Sequence, residues 1–148
     1  MNEVYVQQFG SANIFIAENL AGDENLVDVY QGGASNEFLI QPIQGDLNEI
    51  AVQQEGNTNV VEAATGMVGN YNTVDAHQNG DNNYVVFATE GDDHIISMSQ
   101  RGDDNIAVAE SYGAYNDIHI QSRGDNNFNG VALIGADNEA SSRQFFFF

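Results

Sequence analysis

Gln100-Arg101-Gly102-Asp103-Asp104-Asn105-Ile106-Ala107-Val108-Ala109 joins a polar turn to a run that alternates with period two. Its Gly-x-x-Asn tetrad recurs down the whole chain, from Gly10-x-x-Asn13 to Gly135-x-x-Asn138, through turns that include Gly56, Gly80, Gly102 and Gly124. His94 stands where the other tetrads have Asn. From Gly69 onward the glycines are eleven residues apart; before it the spacing varies from eleven to thirteen, which predicts small loop insertions. Self-similarity at a fixed short period is the mark of a repeat architecture.

Between tetrads the second and fourth positions after the Asn are usually apolar: Val27 and Val29, Ile50 and Val52, Ile96 and Met98, Ile118 and Ile120. The positions between them carry Asp28, Glu49, Asp75, Asp117 and similar polar residues. That alternation predicts short strands with one buried face. Glycine supplies the positive φ of each turn, and Asn is expected to take the left-handed position beside it.

Alternate units differ, so the true period is about 22 residues. The first column of strands starts at Asn2, Asn25, Asn48, Asn72, His94, Asn116 and Asn138, and its sixth position is often Gln, as at Gln8, Gln31, Gln54, Gln78 and Gln100. The second starts at Asn13, Asn36, Asn59, Asn83, Asn105 and Asn127 and ends more often in Thr or Ser. Two short parallel strands per repeat, stacked turn on turn, predict an all-β β-solenoid of about six to seven rungs with one thin core. At the usual strand spacing this is roughly 30 Å long. Stacking brings identical amides within reach of each other, so Gln31, Gln54, Gln78 and Gln100, and Asn25, Asn48, Asn72 and Asn116, are expected to form ladders along the axis.

Composition excludes several functions. The 22 acidic residues against 3 basic ones give a formal charge of −19, which is unsuited to nucleic acid or anionic membranes. There is no cysteine, hence no disulfide or thiolate metal site. No stretch is apolar enough to insert in a bilayer, and no signal peptide is visible; a secreted protein would be represented here by its mature core. The repeat is expected to form a single domain over residues 2–144, followed by a Phe tail at 145–148.

The units Gln54-x-Gly56-x-x-Asn59-x-Val61-x-Ala63 and Gln100-x-Gly102-x-x-Asn105-x-Ala107-x-Ala109 resemble the curlin repeat, with Gln8-x-Gly10-x-x-Asn13 and Gln78-x-Gly80-x-x-Asn83-x-Val85 on the same theme. The resemblance extends over nearly the whole chain. It implies a secreted subunit of curli, the extracellular amyloid fibres of bacterial biofilms. Its implied partners are copies of itself, a surface nucleator and a dedicated secretion channel. The chain departs from the family pattern at its Asn-for-Ser openings, at Pro42 and at His94, and its second column mostly lacks the second Gln. Major subunit, minor nucleator and non-polymerising surface adhesin therefore all stand as readings.

Bare solenoid ends expose strand edges that template further pairing. Val4, Val6 and Gln8 at one end and Ala140, Ser142 and Gln144 at the other are the expected polymerisation surfaces, joined head to tail. The outward face of the second column, with Leu39, Val60, Tyr84, Val86, Ile106, Val108 and Phe128, is a candidate lateral contact. The Phe tail is open between covering the end, docking on a neighbour and being a misread terminus. Turn acids at Asp23, Asp46 and Asp92, and at Asp81, Asp103 and Asp125, are read as solvated charges in preference to calcium ligands, with Arg101 and Arg123 offsetting the second edge. The histidines His77, His94 and His119 are placed on outer or turn positions without ligand spacing. With no nucleophile constellation, cofactor fingerprint or metal motif, the chain is expected to be no enzyme and to need no cofactor.

Overall fold

The computed structural model describes residues 1–113, 116–135 and 137–145. In chain order the strands are β1 (Glu3–Ser11), β2 (Ile14–Ala17), β3 (Leu20–Ala21), β4 (Leu26–Ala34), β5 (Glu37–Ile40), β6 (Ile43–Gln44), β7 (Glu49–Asn57) and β8 (Val60–Val68). They continue as β9 (Thr73–Asn79), β10 (Tyr84–Glu90), β11 (Ile95–Arg101), β12 (Ile106–Tyr112), β13 (Asp117–Arg123), β14 (Phe128–Ile134) and β15 (Glu139–Phe145). Every pairing is parallel. One sheet runs β1-β4-β7-β9-β11-β13-β15; the other runs β14-β12-β10-β8-β5-β2, with β3 and β6 continuing it. This is an all-β solenoid of about six turns, in which each rung passes once through each sheet.

The alternation in the sequence becomes the inside and outside of the wall. Val27, Val29, Ile50, Ile96, Ile118 and Ile120 of the first sheet meet Phe38, Ile40, Val61, Val85 and Phe87 of the second in one continuous core. Burying each large side chain there stabilises the fold by about 1.5–3 kcal/mol.

The turns differ from expectation in one respect. In the described turns the residue immediately before the Asn takes the left-handed conformation, as at Leu47 (φ 58), Thr58 (φ 54), Tyr71 (φ 60) and Asp104 (φ 57), and the Asn itself does not. The Asn is instead released to point inward and bond. The glycine is required sterically as well as conformationally: at Gly80 (φ +127), an added Cβ would lie 2.3 Å from the carbonyl oxygen of Gly102 one rung on.

The irregular spacing has a definite location. The first sheet keeps a constant span from Asn to Gly, and the extra residues all lie in the second. They separate β2 from β3, separate β5 from β6 at Gln41–Pro42, and shift the register of β8 against β10 between Phe87 and Thr89. The bulges stack on each other. Glu18 N–H donates to Ile40 O (3.1 Å), and Met67 N–H donates to Pro42 O (3.2 Å). Proline, which lacks a donor, is tolerated at such a break. Gly66 (φ +81) crosses above Pro42 with no room for a Cβ, which would lie 2.2 Å from the Pro42 oxygen.

Candidate assembly ends and the amide ladders

Each Gln of the first column reaches the next. Gln8 Nε2 donates to Gln31 Oε1 (2.6 Å), Gln31 to Gln54 (2.7 Å), Gln54 to Gln78 (3.0 Å) and Gln78 to Gln100 (3.1 Å). The same Nε2 groups cross the core to the start of the other sheet: Gln31 donates to Ile14 O, Gln54 to Glu37 O, Gln78 to Val60 O and Gln100 to Tyr84 O. Gln31, Gln54, Gln78 and Gln100 are fully buried, so these bonds satisfy amides that would otherwise be costly to bury.

The Asn side chains run the opposite way. Asn48 donates from N and Nδ2 to Asn25 Oδ1 (2.9 and 3.0 Å), and Asn72 N–H donates to Asn48 Oδ1 (3.0 Å). The second column carries an equally continuous ladder, Asn13-Asn36-Asn59-Asn83-Asn105-Asn127, which the sequence reading did not single out although the same tetrad signals it.

His94 is not on an outer or turn position. It is buried within the first Asn column, where its backbone N–H donates to Asn72 Oδ1 (3.0 Å). Its Nε2 lies 3.1 Å from Glu90 O, while Nδ1 lies 3.0 Å from Ser111 Oγ and 3.3 Å from Asn116 Nδ2. Those contacts fit the neutral imidazole that donates from Nε2 and accepts at Nδ1. His77 and His119 are half-buried on the outer face.

The Gln ladder stops at Ser122, whose shorter side chain is met from across the core. Asn129 Nδ2 donates to Ser122 Oγ, and Ser142 Oγ donates to Asn129 Oδ1 (2.8 Å). The last rung therefore has a polar core, in contrast to the aliphatic and aromatic rungs before it.

At the N-terminal end, Val4 (46 % exposed), Val6 (39 %) and Gln8 are uncovered along β1. At the other end, Ala140, Ser142 and Gln144 of β15 are half-buried. Two acceptors there are buried without a partner among the described residues: Asn127 Oδ1 and Gln144 Oε1. In every preceding rung of the second column, the Asn oxygen accepts from the rung that follows. Asn127 is the last Asn of that column among the described residues.

On the outside of the second sheet, Val60, Tyr84, Val86 and Val108 are half-buried, and Ile106 and Phe128 are exposed. Tyr84 donates its hydroxyl to Glu62 Oε2 (2.6 Å), and that bond, with burial and the carboxylate charge, pushes its pKa up to about 12. The turn acids have a structural part beyond solvation. Asp46 Oδ1 accepts from Asp23 N–H (2.7 Å), Asp103 Oδ1 from Asp81 N–H (2.8 Å) and Asp125 Oδ1 from Asp103 N–H (2.9 Å). Among the described residues no group of three or more His, Cys, Asp or Glu converges as a metal site. Arg123 lies over the ring of Phe145, 5.6 Å from its centre. Phe145 is the last residue of β15; Phe146–Phe148 lie outside the described residues. No helix among the described residues is long and apolar enough to cross a membrane.

These features define a parallel two-sheet solenoid laddered by buried amides. Residues 69–102 match the family model of the curlin associated repeat. The matched stretch begins just past the last bulge and covers rungs with constant spacing. Comparison with curated proteins and with solved structures returns no match.

Proposed function

We propose that the protein is a secreted structural subunit of a curli-like extracellular fibre, polymerising head to tail through its terminal strands and serving biofilm matrix and surface adhesion. The observation that carries this reading is the complementarity of the ends. One end offers Asn138 Oδ1 as acceptor and the Gln144 amide as donor. The other offers the Asn2 backbone N–H as donor and the Gln8 side-chain oxygen as acceptor. Opposite ends continue both ladders of the first column, whereas like ends would set donor against donor, so the contact is heterologous and open. Curli-type nucleation and secretion partners belong to the same proposal, as does a role as minor nucleator.

Purified protein should form unbranched filaments in negative-stain electron microscopy, with thioflavin fluorescence rising in parallel. Assembly should speed up with added salt, or as pH falls toward the pI of about 4.1, because self-repulsion at a formal charge of −19 is screened or titrated away. A stable monomer that binds cells or glycans would replace this reading with the adhesin.

The outward stripe of Val60, Tyr84, Val86, Ile106, Val108 and Phe128 is proposed as the lateral contact between filaments. Val86→Lys with Val108→Lys should abolish bundles while leaving single filaments intact. Unchanged bundling in micrographs would remove the stripe from the interface.

A further inference from the structure

One outward column of the first sheet reads Phe9, Gly32, Glu55, Asn79, Arg101, Arg123, Phe145 in register from end to end. Its aromatic residues stand only at the two terminal positions. Between them lie a glycine and polar or charged groups, with Asn79 Nδ2 donating to Glu55 Oε2 (2.9 Å).

Each terminal ring is supported from its own chain on the inward side. Phe9, 59 % exposed, packs against Tyr30 with ring centres 5.8 Å apart and planes tilted by 43°. Tyr30 can lean there because the intervening position is Gly32, where an added Cβ would sit 3.2 Å from the tyrosine ring. Phe145, 43 % exposed, lies under the Arg123 guanidinium, 5.6 Å from ring centre to charge. Arg123 is one of only three basic residues in the chain.

We propose that Phe145 of one copy and Phe9 of the next form an aromatic clasp across each junction, flanked by Arg123 on one side and Tyr30 on the other. This rests on the head-to-tail assembly proposed above and names an outer contact that the ladder residues do not include. Continuing the internal register places Asn138 over Asn2, and hence Glu139 over Glu3 and Phe145 over Phe9. At a rung spacing of about 4.8 Å the two rings fall within the separation at which aromatic pairs attract. The partner is a second copy of this chain, because only a strand in that register brings a ring to Phe9.

The chain has no cysteine, so Phe9→Cys and Phe145→Cys variants report the contact directly. Mixed and oxidised during assembly, the two should give a disulfide-linked dimer on non-reducing gels, since paired positions in adjacent strands meet the distance a disulfide needs. Gln7→Cys mixed with Phe145→Cys, two residues out of register, should give little. Separately, Phe9→Ala and Phe145→Ala should each raise the soluble concentration left at equilibrium by roughly two- to tenfold, with no further rise in the double variant. Both side chains are exposed, so unfolding midpoints of the monomers should stay at the wild-type value. Wild-type filaments with no cross-link and unchanged solubility of the Ala variants would overturn the clasp and leave head-to-tail assembly standing. Wild-type protein that forms no filaments would overturn the assembly itself.

Discussion

The two sheets come from the same repeat, yet one is regular and the other absorbs all the variation in length. The first sheet keeps its span from Asn to Gly in every described turn, while the second is interrupted at Glu18–Asn19 and Gln41–Pro42 and bulges at Ala64–Gly66. The difference tracks the sixth position of each strand. In the first sheet a buried Gln ties its rung to the next and also to the backbone entering the opposite sheet, so an extra residue would break bonds on two sides. The corresponding positions of the second sheet hold Met67, Thr89 and Ser111, and the Thr89 hydroxyl has no partner among the described residues. Register is held where amides cross-link it and left free where they do not.

The steric frame shared by both sheets gives the largest expected effect. Gly80→Ala forces a Cβ against the Gly102 carbonyl at a φ that only glycine readily adopts, and should cost about 3 kcal/mol or more in urea unfolding of the monomer. At Gly135 an added Cβ meets nothing within 4 Å among the described residues, so Gly135→Ala keeps only the backbone strain and should cost about 1–2 kcal/mol. Equal losses at the two sites would show that rung-to-rung contact is not what the turn glycines serve.

The contrast between the sheets is tested next. Gln54→Leu removes bonds to Gln31, Gln78, Glu37 and Asn59 and should destabilise by about 2–4 kcal/mol. Thr89→Val removes a buried hydroxyl without a partner and should be neutral or stabilising by about 1 kcal/mol. If Thr89→Val lost as much as Gln54→Leu, the asymmetry between the columns would have another cause.

The smallest effect concerns the outer wall of the second sheet. Tyr84→Phe should cost about 1 kcal/mol through the lost bond to Glu62. Because the folded pKa is raised, that bond contributes in full below the ordinary tyrosine range of about 10 and is lost as pH climbs through about 12. Tyrosinate absorbance of the wild type should show a late-titrating component that the Tyr84→Phe variant lacks.

Much of this was legible because the period survives every local departure: the tetrad, the alternation and the doubled repeat place both sheets and the inward Gln and Asn before any contact is known. What escaped was set by neighbours one rung or one sheet away. His94 reads as a break in the Asn column, but its ring fills the same buried slot by bonding with Ser111 and Asn116. Ser122 and Asn129 look like two separate defects, a missing Gln and a polar residue at a core position. They compensate each other only because the strands bring them together across the core. The left-handed residue of each turn was assigned one position too late, because Asn tolerates that conformation and gave no local sign that its side chain was needed elsewhere.

The ladder bonds join residues 22 to 24 positions apart and no farther. Every rung after the first thus closes a chain segment of the same modest length onto a surface already in place, and the loop-closure entropy is nearly constant from turn to turn. The first turn alone has no surface to close on, which makes it the slow step when the chain zips up by itself. In the fibre proposed above, a folded end presented by another copy would supply that missing surface, and the finished edge of one chain would act as the catalyst for folding the next.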